Sequence, residues 1–208
     1  MKAIAVVNPK GGAGKSTLAT NLAGHLARHG SGVMLGDVDR QQSSRHWLAA
    51  RDEALPRIET WEIGPDDIAR PPKGLWRAVL DTPAGLSGKA LEKVVKASSK
   101  LVVPVLPSPF DLWATQAFLD EVQAIKRVAN GKADVAIVGM RVQPHTRAAE
   151  ELRAFFARQG IPAVATIRAT QLYPRLALLG QTIFDVNESL ARRELEDWQP
   201  LLDWLARD

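Results

Sequence analysis

The residues best suited to chemistry lie in a glycine-rich segment near the start of the chain, Asn8–Thr17 (NPKGGAGKST). Gly11, Gly12 and Gly14 leave the backbone free to turn its N–H groups onto phosphate oxygens. A helix that begins at Lys15 would add its positive N-terminal end to the same place. The segment therefore predicts a binding site for the phosphates of a nucleotide.

This loop departs from the strict phosphate-loop pattern GxxxxGK[ST], because Pro9 stands where the first glycine belongs. In its place the chain has KGGxGK[ST], with a second lysine, Lys10, five residues before the usual one. The lysine of the usual pattern is Lys15, which would hold the β- and γ-phosphates, and the hydroxyl of Ser16 would ligate Mg²⁺. Thr17 can hydrogen-bond near the α-phosphate. The loop thus predicts ATP and Mg²⁺ as ligands.

Acidic residues follow two other apolar runs that are expected to be strands. Asp37 and Asp39 come at the end of one run, and Asp81 ends another, just before Thr-Pro-Ala-Gly. Ligands of open parallel sheets bind at the carboxyl ends of the strands, so these acids should lie beside the glycine loop. A carboxylate there orders the shell of Mg²⁺, usually through water.

Composition excludes several classes of protein. The chain has 208 residues, 46% of them hydrophobic, and no cysteine, which rules out disulfide scaffolds, thiolate metal sites and thiol nucleophiles. No apolar run reaches the roughly 18 residues of a membrane span, and the start lacks a cleavage pattern, so a cytoplasmic protein is expected. The net charge of +4 is a weak indication of a polyanionic partner.

Short β-branched runs alternate with amphipathic stretches, which is typical of a parallel sheet covered by helices. We therefore expect one α/β domain over residues 1–208, with a doubly wound, mostly parallel sheet and helices on both faces. The predicted strands are Ala3–Val7, Val33–Asp37, Ile58–Trp61, Ala78–Asp81, Leu101–Val105, Val135–Val138 and Val164–Ile167. The predicted helices are Lys15–His29, Ser43–Glu53, Ser87–Ser98, Leu112–Ala129 and Thr146–Gln159, with a loop over Ile63–Gly74.

Taken together, the motifs resemble the ParA/MinD family of deviant Walker A ATPases, within the SIMIBI group of P-loop proteins. The resemblance rests on Lys10–Thr17, Asp37–Gln41, Asp81–Gly85 and Val103–Pro109, whose order and spacing cover about the first 120 residues. It implies an ATP hydrolase that forms a homodimer when it binds Mg-ATP. Two departures are Arg40, where proline is usual, and Ala13, where valine is commoner; neither removes a catalytic atom.

The resemblance also implies roles for individual residues. Lys10 is the signature lysine that reaches across the dimer to the partner's nucleotide, Asp39 positions the attacking water, and Asp81 is the Walker B aspartate. Arg141 lies where the family places an adenine contact. The expected catalytic residues are Lys10, Lys15 and Asp39, the metal-site residues are Ser16, Asp39 and Asp81, and the nucleotide-binding residues are Lys10, Gly11, Gly12, Ala13, Gly14, Lys15, Ser16, Thr17 and Arg141.

Members of this family bind either DNA or a membrane as ATP-bound dimers. From Glu194 onward the chain has five acids and one base, which anionic lipid would repel, so we expect a final helix docked on the core through Leu201, Trp204 and Leu205 and no membrane partner. Non-specific contact with DNA phosphates is favoured instead. The candidates are a stripe of Lys89, Lys93, Lys96 and Lys100 along one helix and the arginines Arg168, Arg175, Arg192 and Arg193, of which Lys93, Lys96, Arg168, Arg175 and Arg192 are preferred.

These observations favour an ATPase that binds the nucleoid and segregates a plasmid or chromosome, with hydrolysis stimulated by a ParB-like or other adaptor protein. The alternatives are a positioning ATPase for a protein cargo, such as a compartment or a chemoreceptor cluster, and a MinD-like regulator on a membrane surface. A metabolic P-loop ligase is a further alternative, but the sequence shows no pocket for a substrate carboxylate. The positioning ATPases share the same chemistry, so the sequence does not identify the cargo.

Overall fold

A computed structural model describes residues 2–30, 32–39, 41–61 and 77–207 of the chain. Arg40 and the whole of the loop expected over Ile63–Gly74 lie outside the described residues.

The strands form one six-stranded sheet in the order β2-β3-β1-β4-β5-β6, and every pair of neighbours is parallel. The strands are β1 (Lys2–Val6), β2 (Val33–Asp37), β3 (Arg77–Asp81), β4 (Lys100–Val105), β5 (Asp134–Val142) and β6 (Ala163–Arg168). The order reverses at β1, between β3 and β4, which is where open α/β sheets bind their ligands. The α/β, doubly wound parallel fold expected from the sequence is confirmed.

One expected strand is wrong. Residues 58–61 make a single bridge at the edge of the sheet, in which Leu35 N donates to Glu59 O at 2.8 Å and Glu59 N donates to Val33 O at 2.9 Å. The β-branched and aromatic composition of this segment indicated a strand. Two hydrogen bonds to β2 are too few to extend the sheet past that edge.

Eight helices connect and cover the strands in the described part of the chain. They are α1 (Lys15–Arg28), α2 (Ser43–Ala49), α3 (Gly88–Ala97), α4 (Pro109–Ala124), α5 (Lys126–Ala129), α6 (Arg147–Ala157), α7 (Leu172–Ala177) and α8 (Glu188–Ala206). The expected helix over residues 112–129 is interrupted at Ile125, whose ψ of 122° is extended and separates α4 from α5. The helix expected from Ser43 ends at Ala49, and α7 was not expected at all.

Apolar residues are buried on both faces of the sheet, as the alternation along β1 illustrates. Ile4 and Val6 belong to one cluster, together with residues of α1, α7 and α8. Ala5 belongs to the other, together with residues of α3, α4 and α6. Successive side chains of a strand point to opposite faces, so a sheet covered on both sides has nearly continuous apolar strands. The helices on both faces hold the strand ends that carry the site.

The last helix, α8, is docked on the core as expected. Trp198 and Leu201 are fully buried and Trp204 is 9% exposed, so the apolar stripe of α8 packs against the sheet rather than facing outward. Lys100 stabilises the end of the helix, because its Nζ donates to the carbonyl of Trp204 at 3.3 Å and lies 4.6 Å from the centre of the Trp204 ring. Among the described residues, no helix combines the length and apolar character needed to cross a bilayer.

This position of Lys100 corrects the expected lysine stripe. Lys89, Lys93 and Lys96 lie on the exposed side of α3, but α3 ends at Ala97 and Lys100 begins β4, where it is 6% exposed. The regular spacing of lysines continued past the end of the helix and so included a residue that has a structural role. Lys100 is not available to a phosphate in this structure.

Candidate functional site

The glycine loop connects the end of β1 to the start of α1, at the point where the strand order reverses. Gly12 and Gly14 have φ angles of 76° and 95°, in the left-handed region that favours glycine. Gly14 is the residue before the first turn of α1, and its carbonyl accepts the N–H of Leu18 at 3.0 Å. The backbone N–H groups of the first helical turn are therefore directed at the space above the loop, as an anion site requires.

Neighbouring segments hold this loop in place. Asn8 is 1% exposed; its Nδ2 donates to Pro104 O at 2.6 Å, and its Oδ1 accepts the N–H of Lys10 at 2.7 Å. Gly85 N donates to Pro9 O at 2.8 Å, and Thr82 Oγ1 donates to Val6 O at 2.8 Å. The loop is thus fixed from β4 on one side and from the segment after β3 on the other, so that its geometry is set before any ligand binds.

The two lysines of the loop differ in their surroundings. Lys15 is 7% exposed and its Nζ donates to the carbonyl of Lys10 at 2.8 Å. Burial lowers the pKa of Lys15, while the charges of Asp81 and Asp39 oppose that change. Lys10 is half-buried, and its ammonium makes no hydrogen bond or ion pair with the described residues. The ammonium of Lys15 therefore lies over the loop of its own chain, whereas the ammonium of Lys10 makes no such contact with the described residues.

Asp37 and Asp39 lie at the end of β2, beside the loop. The carboxylate of Asp37 accepts two backbone N–H groups, from Asp39 at 3.0 Å and from Arg45 at 3.1 Å. Burial raises the pKa of Asp37, although these backbone hydrogen bonds oppose the rise. Asp39 Oδ1 accepts the N–H of Gln41 at 3.0 Å. Asp37 therefore fixes the turn that carries Asp39.

Asp81 ends β3 next to Asp37, its partner in register. It is 1% exposed, and Ser44 Oγ donates to its Oδ2 at 2.6 Å, while its Oδ1 has no hydrogen-bond partner in the described structure. Burial raises the pKa of Asp81 to about 6, although hydrogen bonding by Ser44 opposes the rise. Asp81 Oδ1 makes no hydrogen bond within the geometric limits in the described structure, although the hydroxyl of Ser16 is close enough to the Asp81 carboxylate to lower its pKa. Such a buried oxygen suits the water shell of a Mg²⁺ ion. These residues fit the metal that the resemblance implies.

A pocket of about 740 Å³ opens beside the first turn of α1. Its size fits a nucleoside, since ligand pockets span about 300–1,000 Å³. It is enclosed by α1, by α2, by the ends of β5 and β6 with the residues that follow them, and by α7. Its polar and aromatic lining residues include Ser16, Thr17, Asn21, Trp47, Arg141, Gln143, Arg168 and Tyr173.

Arg141 was expected to follow β5 and instead lies inside it. The pairing of β5 with β6 shifts between Gly139 and Val142, and Arg141 has a φ of 52°, which a non-glycine residue rarely adopts. At this irregularity the exposed Arg141 lines the pocket, together with Met140, which is buried beside Gly14. The expected adenine contact is therefore at the wall of the pocket, and its role stays a prediction.

The outer wall of the pocket is held by a buried ion pair. The two terminal guanidinium nitrogens of Arg51, Nη1 and Nη2, donate to Asp185 at 2.8 and 2.9 Å, and Nη1 also donates to Gly180 O at 3.0 Å. Trp47 Nε1 donates to Gln181 O at 3.3 Å, and Asn21 Oδ1 accepts the N–H of Ile183 at 3.1 Å. The segment 180–185 is thus bonded both to α1 and to the α2 region.

Replacing Asp185 with alanine is expected to lower the free energy of unfolding by about 3–5 kcal/mol, because it leaves the buried guanidinium of Arg51 without its counter-ion. Urea unfolding followed by circular dichroism measures the change. Glu151→Ala is the matched control, since Glu151 pairs with Arg147 on the surface at 3.0 Å and its loss should cost under about 1 kcal/mol. Equal losses in both variants would contradict the role given to Asp185.

The same pair predicts a pH dependence. Burial raises the pKa of Asp185, but hydrogen bonds from Arg51 and Thr182 outweigh it and leave the pKa below its ordinary value. The stabilisation is therefore present above the pKa of the unfolded chain and is lost as the pH falls through the folded value. The cost of Asp185→Ala should accordingly shrink when urea unfolding is repeated in acid.

The residues expected to contact DNA are not brought together within one chain. Lys93 and Lys96 lie on α3, which packs against one face of the sheet, whereas Arg175 and Arg192 are exposed on α7 and α8, at the other face. Arg168 makes a two-pronged ion pair with Asp197, with Nε–Oδ2 at 2.7 Å and Nη2–Oδ1 at 2.8 Å. Two separate basic regions therefore remain candidates, and the sequence did not indicate that they are opposed.

Two exposed aromatic residues lie near the same end of the sheet. Phe110 and Trp113, in the first turn of α4, are 71% and 67% exposed, and their rings meet edge to face at 5.5 Å. Ser108 precedes them and accepts the N–H of Asp111, which begins the helix. Exposed aromatic side chains are typical of surfaces that bind another protein.

Three residues that support the site had no assigned role in the sequence analysis: Asn8, Ser44 and Asp185. Asp37 was recognised only as an acid at the strand edge. Asn8 directly follows the apolar run Ala3–Val7, and a polar residue in that position is a weak sequence indication of a role at the end of the strand. Ser44 and Asp185 act through contacts 37 and 134 residues away along the chain, and nothing local reveals such pairings.

Comparisons with known proteins agree with this geometry. The family model described as "CobQ/CobB/MinD/ParA nucleotide binding domain" matches residues 4–183. The "Maintenance of carboxysome distribution protein A" of Gloeobacter kilaueensis is 35% identical over 211 residues, a match that covers 100% of this chain and 95% of that protein.

Solved structures of similar fold include two from the MinD and McdA proteins. The MinD cell division protein of Aquifex aeolicus superposes with a TM-score of 0.76 at 15% identity, covering 100% of this chain and 98% of that one. An aspartate-to-alanine variant of McdA from Cyanothece in complex with ATP superposes with a TM-score of 0.73 at 14% identity, covering 97% and 96%. At these identities the structures support the fold only.

Proposed function

The chain belongs to the CobQ/CobB/MinD/ParA family of nucleotide-binding domains, and we propose that it is an ATPase that dimerises on Mg-ATP, binds DNA without sequence preference and positions a large protein cargo. The proposed ATP hydrolysis is supported chiefly by one observation. Lys10, Lys15, Asp39 and Asp81 all lie at the point where the strand order of the sheet reverses. The nature of the cargo rests on the end-to-end similarity to a carboxysome distribution protein.

Within one chain, the loop residues bind and orient the substrate. The backbone of Gly11–Gly14 and the ammonium of Lys15 would hold the phosphates of ATP, and Ser16 and Asp81 would hold Mg²⁺, Asp81 through water. Mg²⁺, when bound, neutralises charge on the β- and γ-phosphates. The pocket beside α1 takes the nucleoside, with Arg141 at its wall.

Hydrolysis needs two further groups. Asp39, fixed by the hydrogen bond from its N–H to Asp37, orients the attacking water. Lys10 extends from one chain to the nucleotide of the partner chain and stabilises the charge that develops there. Because this lysine comes from the partner, turnover is slow in the monomer and requires the dimer.

The cycle follows from this dependence. Two ATP-bound chains associate, and the dimer doubles the basic surface that meets DNA phosphates, which raises its avidity. An adaptor protein on the cargo stimulates hydrolysis, and the resulting monomers leave the DNA. Plasmid or chromosome partition uses the same steps, but the protein-cargo interpretation, an alternative in the sequence analysis, has the stronger support because the 35% identical relative is a carboxysome distribution protein.

DNA binding is expected only with ATP and Mg²⁺, and it should depend steeply on salt. A dimer that neutralises about four phosphates loses about 10²-fold in affinity between 50 and 200 mM salt. Fluorescence anisotropy with two unrelated duplexes measures this. Lys96→Glu and Arg175→Glu, compared at one salt concentration, identify which basic region binds. Sequence-selective binding, or equal binding without nucleotide, would contradict the proposal.

Two comparisons separate the remaining alternatives. Co-sedimentation with anionic liposomes, with and without ATP, tests the MinD-like alternative and is expected to give no binding, because the apolar face of α8 is buried. Deletion of the gene in its own organism tests the cargo: loss of even spacing of a protein assembly supports positioning, and loss of a plasmid supports partition.

A further inference from the structure

The helix α2 begins between two carboxylates on neighbouring strands. Asp37 and Asp81 are partners in register at the carboxyl ends of β2 and β3. Asp37 accepts the backbone N–H of Arg45, and Asp81 accepts the hydroxyl of Ser44. The first turn of α2, which follows the segment carrying Asp39, is therefore bonded to both strands.

The side chain of Ser44 contacts Asp81 and does not reach the nucleoside pocket. Ser44 is fully buried, and its hydroxyl donates to Asp81 Oδ2 at 2.6 Å, which is at the short end of the range for O–H···O hydrogen bonds. It is not among the residues that line the nucleoside pocket, whereas its neighbour Ser43 is. Ser44 thus contacts the carboxylate and has no access to the nucleotide.

The hydrogen bond leaves the two oxygens of Asp81 with different environments. Oδ2 is satisfied by Ser44, whereas Oδ1 is buried and has no partner in the described structure. A carboxylate that is free to rotate would exchange these oxygens, and a fixed one presents the same oxygen at all times. In metal sites, a hydrogen bond from a neighbouring residue commonly orients the side chain that binds the metal in this way. Loss of such a bond costs about 10–100-fold in metal affinity or activity.

We propose that Ser44 is a positioning residue that fixes the carboxylate of Asp81, so that Oδ1 receives the water shell of Mg²⁺, and that it couples this metal site to α2 and the Asp39 segment. The proposal rests on the proposed ATPase function. It assigns to a buried serine, outside the glycine loop, a part in the magnesium dependence of nucleotide binding.

The test measures magnesium dependence without hydrolysis. A fluorescent N-methylanthraniloyl ADP is bound to wild type and to Ser44→Ala, first in EDTA and then over a Mg²⁺ titration. The affinity in EDTA should be equal, because Ser44 does not reach the nucleotide. The Mg²⁺ concentration at half-maximal effect should rise about 10–100-fold in Ser44→Ala.

A matched control separates positioning from general loss of stability. Ser98 is also a buried serine, whose hydroxyl donates to Val94 O at 2.9 Å at the other end of α3 from the site. Ser98→Ala removes one buried hydroxyl hydrogen bond and should leave the Mg²⁺ titration unchanged. Ser44→Cys keeps a weak donor of similar size, should fall between wild type and Ser44→Ala, and serves if Ser44→Ala does not fold.

A double-mutant cycle with Asp81→Asn tests whether Ser44 acts through Asp81. If it does, adding Ser44→Ala to Asp81→Asn changes the Mg²⁺ titration by less than about twofold, because neighbours in one network are not additive. Unchanged Mg²⁺ dependence in Ser44→Ala, or full additivity in the cycle, overturns the proposal while the ATPase function stands. Absence of Mg²⁺-dependent nucleotide binding by the wild type overturns the ATPase function itself.

Discussion

Replacing Lys10 with alanine is expected to reduce stimulated ATP hydrolysis by about 10³-fold or more and to abolish ATP-dependent dimerisation, while ATP still binds. The size follows from charged groups supplied in trans during phosphoryl transfer, which contribute about 10³–10⁵. In this structure the backbone of Lys10 helps to shape the loop, since its N–H donates to Asn8 and its carbonyl accepts Lys15. Alanine retains both of these contacts and removes only the ammonium.

Three measurements check this expectation. Phosphate release gives turnover, light scattering after gel filtration gives the oligomeric state, and fluorescent ATP gives the affinity. Lys126→Ala is the matched control, because Lys126 is an exposed lysine on α5 and is outside the site. Wild-type turnover in Lys10→Ala would refute the role of a lysine supplied by the partner chain. Loss of ATP binding would instead assign Lys10 to its own nucleotide.

Asp39→Ala is expected to have the second largest effect, namely a long-lived ATP-bound dimer that stays on DNA. The turn that carries Asp39 is fixed through backbone groups, with Asp39 N bonded to Asp37 and Gln41 N bonded to Asp39 Oδ1. Only the second of these bonds is lost in the variant. The phosphate loop and Asp81 are unchanged, so ATP should still bind while the water lacks its orienting group.

The lifetime of this complex is measured by chasing labelled ATP with an excess of unlabelled ATP in the presence of DNA. We expect turnover to fall about 10²–10⁴-fold, the usual contribution of a positioned acid–base group. Asp120→Ala, which removes an exposed carboxylate from α4, is the control. Recovery of a monomer with normal activity from Asp39→Ala would contradict the assignment.

The sequence predicted the parts of the site that are local. The loop Gly11–Ser16 lies between a strand and a helix. Its residue types and its position between these elements could therefore both be predicted from the sequence. Asp81 was predicted because an acid after an apolar run must lie at the carboxyl edge of a parallel sheet. In each case the chemistry is encoded within about ten consecutive residues.

Other features depend on contacts between distant segments. The pairing of Ser44 with Asp81, the ion pair of Arg51 with Asp185 and the burial of Lys100 under Trp204 join residues 37 to 134 positions apart. The irregular end of β5, where Arg141 lines the pocket, depends on its pairing with β6. Periodicity and composition do not contain this information, which explains why Lys100 was wrongly placed on the helical stripe.

The exposed position of Trp113 also gives the protein an optical reporter. Trp47, Trp198 and Trp204 are at most 9% exposed, whereas Trp113 is 67% exposed, the largest value for a tryptophan in the described ranges. Iodide in solution quenches the emission of an exposed indole and spares buried ones. The part of the quenchable fluorescence that Trp113→Phe removes therefore reports on Trp113, and its protection on adding a ligand would record, without any label, that a second surface has covered this end of the sheet.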